Sequence, residues 1–152
     1  MKTVVKFEVV GLCVAQPRHR VGRGRAYIAD EHAIHGFKDM VRAKCIEAMP
    51  RRMVHIGPME VRLLFAMPRA ASSLKSEAYT WHHGKPDIDN LMKSCLDAVK
   101  GIVYNDDSQI VSASALKVTV PSGSKPALYA VFLLCGEVEE EVEEFFDYFG
   151  RT

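Results

Sequence analysis

No stretch of this chain approaches the roughly 20 consecutive apolar residues that span a bilayer, and the N-terminus alternates Lys and Glu with valines instead of presenting a signal-peptide core. A soluble, cytoplasmic protein is the expectation. Cysteine is sparse: Cys13, Cys45, Cys95 and Cys135 stand far apart, without CxxC or Cys/His spacing. That excludes a zinc knuckle and a redox pair, and the four read as small buried hydrophobes with reduced thiols. There is no Walker A sequence, and Gly22-Arg23-Gly24 lacks the flanking strand and helix of a dinucleotide fold. An EF-hand loop would need an oxygen ligand at Leu91 and glycine at Met92. There is no internal repeat.

What is present suits one folded domain. The chain has 152 residues, 48% hydrophobic and 26% charged, a balance that argues against wholesale disorder. The net charge of +1 conceals an asymmetry. Residues 137–148 carry seven acids, six Glu and Asp147, and no base. Residues 1–136 hold 19 Lys and Arg against 12 Asp and Glu, a surplus of +7, with Arg18, Arg20, Arg23 and Arg25 in one short segment. A basic body suits a polyanionic partner. The division expected is a domain over 1–136 and an acidic helical extension over 137–152.

Val5, Phe7 and Val9 alternate with polar residues over 3–10 and predict a half-buried strand. Residues 16–25, rich in Pro, Gly and Arg, predict a loop with exposed guanidinium groups. Asp30 is the expected N-cap of a helix reaching Met49, since Ile34, Phe37, Val41 and Cys45 recur at helical spacing and Pro50 closes it. Met59, Val61, Leu63 and Phe65 predict a second strand ending at Pro68, followed by a polar loop over 69–84. Asp89 then stands as N-cap of a helix whose apolar stripe is Leu91, Met92, Cys95, Leu96 and Val99, with Gly101 at its end. Strand-like runs at 109–120 and 127–135 flank Pro121-Ser122-Gly123-Ser124-Lys125-Pro126 and predict a β-hairpin. Val138, Val142, Phe145 and Phe149 share one side of a last, Glu-rich helix. The fold class expected is α+β: one domain, with helices packed beside a mixed or antiparallel sheet.

The chemistry lies in Lys85-Pro86-Asp87-Ile88-Asp89-Asn90 and Asp106-Asp107. Carboxylates two residues apart in extended chain point to the same side, so Asp87 and Asp89 can converge on one cation. Lys93, one turn after Asp89, can share that face and approach a phosphate, and Asp97 can orient Lys93 through a pair. Magnesium takes octahedral oxygen ligands from one or two carboxylates, waters and substrate phosphates, which such an acidic set offers. Taken singly, each piece has a plainer explanation: a helix cap, a turn, an ordinary exposed i,i+4 pair. His82 and His83 read first as loop residues, with contact to the site or to a nucleic-acid backbone as the alternative, and Trp81 first as a residue packed on the core, with stacking on an unpaired base as the alternative.

Together, Lys-Pro-Asp-x-Asp-Asn-Leu-x-Lys-x-x-x-Asp-Ala-x-x-Gly over Lys85 to Gly101 and Asp-Asp-x-Gln-Ile over Asp106 to Ile110 resemble the RusA family of Holliday-junction resolvases. The likeness takes in the Arg/Gly-rich segment from Pro17 to Arg25 and covers roughly residues 3–136. It implies a homodimeric α+β endonuclease, bacterial or phage-encoded, that makes paired nicks in four-way DNA junctions with magnesium or manganese. It further implies that Asp87, Asp89 and Asp107 bind metal, with Lys93 catalytic and Asp106 a lesser candidate. Arg18, Arg20, Arg23, Arg25 and Lys85 are expected on backbone phosphates. The chain departs from the family pattern in its long 69–84 loop, its acidic extension and the lack of an Asn in the basic loop. The competing expectation is a non-catalytic junction-binding protein, and the acidic helix is a candidate surface for a protein partner.

Overall fold

The computed structural model describes residues 2–17, 20–22, 25–27, 32–49, 51, 53–136, 138, 142 and 146, the segments 20–22 and 25–27 by their backbone alone. Strand β1 (Lys2–Val10) buries Val5, Phe7 and Val9 and turns Lys6 and Glu8 to solvent, as its alternation predicts. Part of the Arg-rich segment, expected as a loop, is strand. Its backbone forms an antiparallel ribbon of β2 (Arg20–Gly22) and β3 (Arg25–Tyr27). Arg18 and Arg23 lie outside the described residues.

Helix α1 (Ile34–Ala48) buries Ile34, Phe37, Val41 and Cys45 and ends at Met49, which turns extended ahead of Pro50. Its N-cap is Ala33, without a side-chain cap, and the Ile34 N–H donates to Nδ1 of His32 at 3.1 Å. The expected cap, Asp30, lies outside the described residues. Strand β4 (Met59–Met67) buries Met59, Val61, Leu63 and Phe65 on one face and Ala66 on the other. The 69–84 segment is tied rather than loose. Arg69 donates to the carbonyls of Val120 (3.0 Å) and Leu74 (3.3 Å), and the two-residue strand β5 (Thr80–Trp81) closes the segment.

Helix α2 (Ile88–Val99) follows, then a 3-10 turn at Asp107–Gln109, β6 (Ile110–Thr119) and β7 (Ala127–Leu134). The sheet order is β1-β7-β4-β6-β5, with β4 and β6 parallel and the other pairs antiparallel. The expected β6–β7 hairpin is therefore wrong, because β4 lies between them. β4 is apolar and buried enough to need a hydrogen-bonded neighbour on each edge. Residues 120–126 have ample reach to step over it, since two strand spacings are only about 10 Å. The parallel β4–β6 pair in turn requires a crossover, and α2 is that crossover helix.

The architecture is a single α+β domain with a mixed five-stranded sheet. The core joins the inward residues of β1, β4 and β7 to α1 and α2. Phe132 stands at its centre, stacked on Phe7 and tilted against Tyr104, each pair with ring centroids 6.3 Å apart. Burial of one such side chain contributes roughly 1.5–3 kcal/mol. Cys13, Cys45 and Cys95 are buried there as thiols, and burial pushes Cys13 and Cys45 up to about 12. Of the residues expected to form the last helix, only Val138, Val142 and Phe146 are described. All three are exposed, and the Val142 N–H donates to the Val138 carbonyl at 3.2 Å. Phe145 and Phe149 lie outside the described residues.

Candidate metal centre

The segment that delivers the acids is fastened to β6 at three successive carbonyls. Lys117 Nζ donates to the carbonyls of Gly84 (2.7 Å) and Pro86 (2.6 Å). His82 bonds the Lys85 carbonyl through Nε2 (3.1 Å) and Thr119 Oγ1 through Nδ1 (2.9 Å). The peptide between Lys85 and Pro86 is cis. His82 is thus a structural anchor, whereas His83 is exposed and makes no hydrogen bond or ion pair among the described residues. Sequence reasoning missed Lys117. The available signal was a lysine in register with Phe65 on the core-facing side of the sheet.

Asp87, not Asp89, is the N-cap residue of α2, with φ −71 and ψ 142, and Asp89 falls in the first turn. No side-chain capping bond forms at this end, so neither carboxylate is spent on helix capping. Both oxygens of Asp87 accept from Lys85 Nζ, at 2.7 and 2.8 Å. Asp89 and Lys93 are exposed, and neither has an ion pair or hydrogen bond beyond the helix backbone among the described residues. The expected Lys93–Asp97 pair does not form. Asp97 pairs instead with Lys38 of α1, at 3.2 Å, because α1 packs across that flank of α2.

Asp106 and Asp107 part company. Asp106 caps the 3-10 turn: its carboxylate accepts from the Ser108 N–H at 3.0 Å, and Gln109 reaches back to its backbone N–H at 3.1 Å. The Ser108 backbone, with Lys100 beside it, holds the Asp106 carboxyl down at about 2. Gln109 also donates to the carbonyls of His55 and Gly57, fixing the turn to the body. The spacing Asp-x-x-Gln was a readable capping signal. Asp107 is not a cap. It meets Lys100 Nζ at 3.2 Å, and Lys100 also holds Asp106 at 3.0 Å. Below them the Tyr104 hydroxyl donates to the Leu96 carbonyl at 2.9 Å and is pushed up by burial and then by Asp107.

Two adjoining cavities result. Asp89, Lys93, Asp97 and Asp107 line one of about 320 Å³. Asp87, Asp89 and Lys85 line the other, of about 730 Å³, together with Trp81, Leu116 and Lys117. Asp89 is common to both. Among the described residues no three His, Cys, Asp or Glu side chains cluster closely enough to hold an ion as they stand. The donor set nevertheless fits a hard divalent cation: it is all carboxylate and exposed, with lysines in place as counter-charges on Asp87 and Asp107. Gln16, four residues before β2, lies beside this site, its N–H donating to the Asn90 carbonyl in the first turn of α2 at 2.9 Å. Trp81, expected in the core, is 75% exposed at the rim.

Comparison with known proteins agrees with this architecture. The family model described as endodeoxyribonuclease RusA matches residues 11–127, which include the ribbon, α2 and the Asp106-Asp107 turn. A Bacillus subtilis (strain 168) protein named uncharacterized protein YqaN is 32% identical over 123 residues, covering 74% of this chain and 86% of its own length. The chain belongs to the RusA endodeoxyribonuclease family.

Proposed function

We propose that this protein is a divalent-metal-dependent endonuclease that cuts four-way DNA junctions in recombination and repair, with a homodimer placing two paired, symmetric nicks. The observation that carries this reading is the meeting of Asp89, Lys93 and Asp107 at one exposed cavity, although Asp107 is supplied by a turn outside α2. Asp87, Asp89 and Asp107 are the residues proposed to hold magnesium, or manganese in its place. When bound, the cation neutralises phosphate charge and lowers the pKa of water.

The chain's own residues do the rest. Lys93, which no carboxylate occupies among the described residues, is available to a non-bridging phosphate oxygen as negative charge develops. Water attacks phosphorus in line, breaking the bond to the 3′ oxygen and leaving a 5′-phosphate and a 3′-hydroxyl. Lys117 and His82 act through the backbone, fixing the approach of Asp87 and Asp89 to the site. Arg18, Arg20, Arg23, Arg25 and Lys85 are proposed to contact backbone phosphates. The proposed setting is the cytoplasm of a bacterium, with the gene carried by host or phage. Residues 137–152 are proposed as an acidic extension to the 1–136 nuclease domain, offering a surface to a protein partner.

The test is incubation of the full chain with an end-labelled four-way junction and with a duplex of the same arm sequence. Paired nicks in the junction alone, absent in EDTA and restored by magnesium or manganese, are expected. A junction that is bound yet stays intact with either cation would favour the non-catalytic binding protein.

A further inference from the structure

The larger cavity reaches beyond the acids, and its outer wall is aromatic. β5 is the edge strand of the sheet, and Trp81 pairs there with Val118. The indole is 75% exposed, and it lines the same cavity of about 730 Å³ as Asp87 and Asp89. Apolar surface continues from it across Leu116, 52% exposed, to Ile88, 37% exposed. An exposed indole with an apolar floor is costly to maintain in water and commonly marks a contact surface. Its position is fixed, because the next residue, His82, is tied to Thr119 and to the Lys85 carbonyl. Polar groups stand at the cavity's other margins: the acids Asp87 and Asp89 with Lys85, His82 and Lys117, and His83, which has no partner among the described residues.

We propose that this cavity is a base-binding subsite, in which Trp81 stacks on an unpaired nucleobase of the DNA strand whose phosphate lies at Asp87 and Asp89. The subsite rests on the endonuclease reading. A nucleobase matches the surface in kind: a flat π face for the indole, apolar contact with Leu116 and Ile88, and a polar edge for His83. Its phosphate meets Lys85. Duplex bases keep both faces stacked, whereas bases at a strand crossover can be withdrawn at lower cost. The subsite therefore selects branched or single-stranded DNA over duplex.

Trp81 is the only tryptophan in the chain, so its emission reports the subsite directly. The full chain is titrated in EDTA with a four-way junction, with a single strand and with a duplex, following emission and, separately, anisotropy of labelled DNA. Quenching by the junction and the single strand but not by the duplex is expected. Trp81→Ala should weaken junction binding roughly 5- to 150-fold, and Trp81→Phe less than about fivefold. Because the side chain is exposed, both variants should keep the wild-type circular dichroism spectrum and Tm.

Equal quenching by duplex, or an equal loss of duplex binding in Trp81→Ala, overturns the subsite. So does emission that changes on protein dilution or on deleting residues 137–152 without DNA, because a second copy or the acidic segment then occupies the cavity. Failure of the wild type to cut the junction with magnesium overturns the endonuclease reading instead. The single-strand titration reads the subsite in either case.

Discussion

Lys117 donates to the Pro86 carbonyl at 2.6 Å, reaching from the core-facing side of β6 to the residue just before the first acid of the site. The same ammonium takes the Gly84 carbonyl. A charge placed at a core-facing position is costly unless its hydrogen bonds are made, and here they are made to the segment that positions Asp87 and Asp89.

Lys117→Met should keep the stem's packing and remove the clamp. Second-shell changes of this kind lower metal affinity or activity about 10- to 100-fold. A junction-cleavage rate that falls by that amount, with the far-UV spectrum and Tm near wild type, is expected. An unchanged rate would show that the segment holds its place without Lys117.

Lys93→Ala should leave junction affinity within a few-fold of wild type and lower the cleavage rate by about 100- to 1,000-fold, the usual cost of removing one group that stabilises developing charge. Single-turnover cleavage beside a gel-shift titration measures both. A loss confined to affinity would make Lys93 a phosphate contact only.

The Asp106 cap gives a pH dependence with a definite sign. Its folded pKa, about 2, lies below the ordinary 3.8. The stability linked to it is therefore present above the ordinary value and is lost as pH falls through that window. An NMR titration of the Asp106 carboxyl should show a midpoint near 2 that rises in Lys100→Met. A wild-type midpoint at the ordinary value contradicts the cap.

Tyr104→Phe removes a buried hydroxyl and leaves the Leu96 carbonyl without that donor. A loss of about 0.5–1.5 kcal/mol in urea unfolding is expected. A neutral result would place the bond outside the energetics of the fold.

Much of the fold was legible because its signals are local. β1 and β4 follow from alternation, and the buried faces of α1 and α2 follow from 3.6-residue spacing. What failed depended on distant chain. A turn-like stretch between β6 and β7 says nothing of β4, which takes the place between them. Lys93 and Asp97 stand at pairing distance along α2, but Asp97 goes to Lys38, 59 residues away. The boundary of α2 was two residues off, which moves the capping position from Asp89 to Asp87. Trp81 was expected inside because aromatics usually are, yet it lies on an edge strand with no layer over it among the described residues. Within the site, residue types and spacing indicated an acidic set, while Lys85, Lys100 and Lys117 as its holders became visible only in three dimensions.

The central claim is that Asp107, and not its neighbour, serves the site that Asp89 and Lys93 share. The most direct measurement compares magnesium-dependent junction cleavage by Asp107→Asn, Asp106→Asn and wild type, each at saturating protein. A drop of at least about 100-fold for Asp107→Asn, beside a near-wild-type rate for Asp106→Asn, is the expected result. Equal cleavage by Asp107→Asn and wild type would contradict the account.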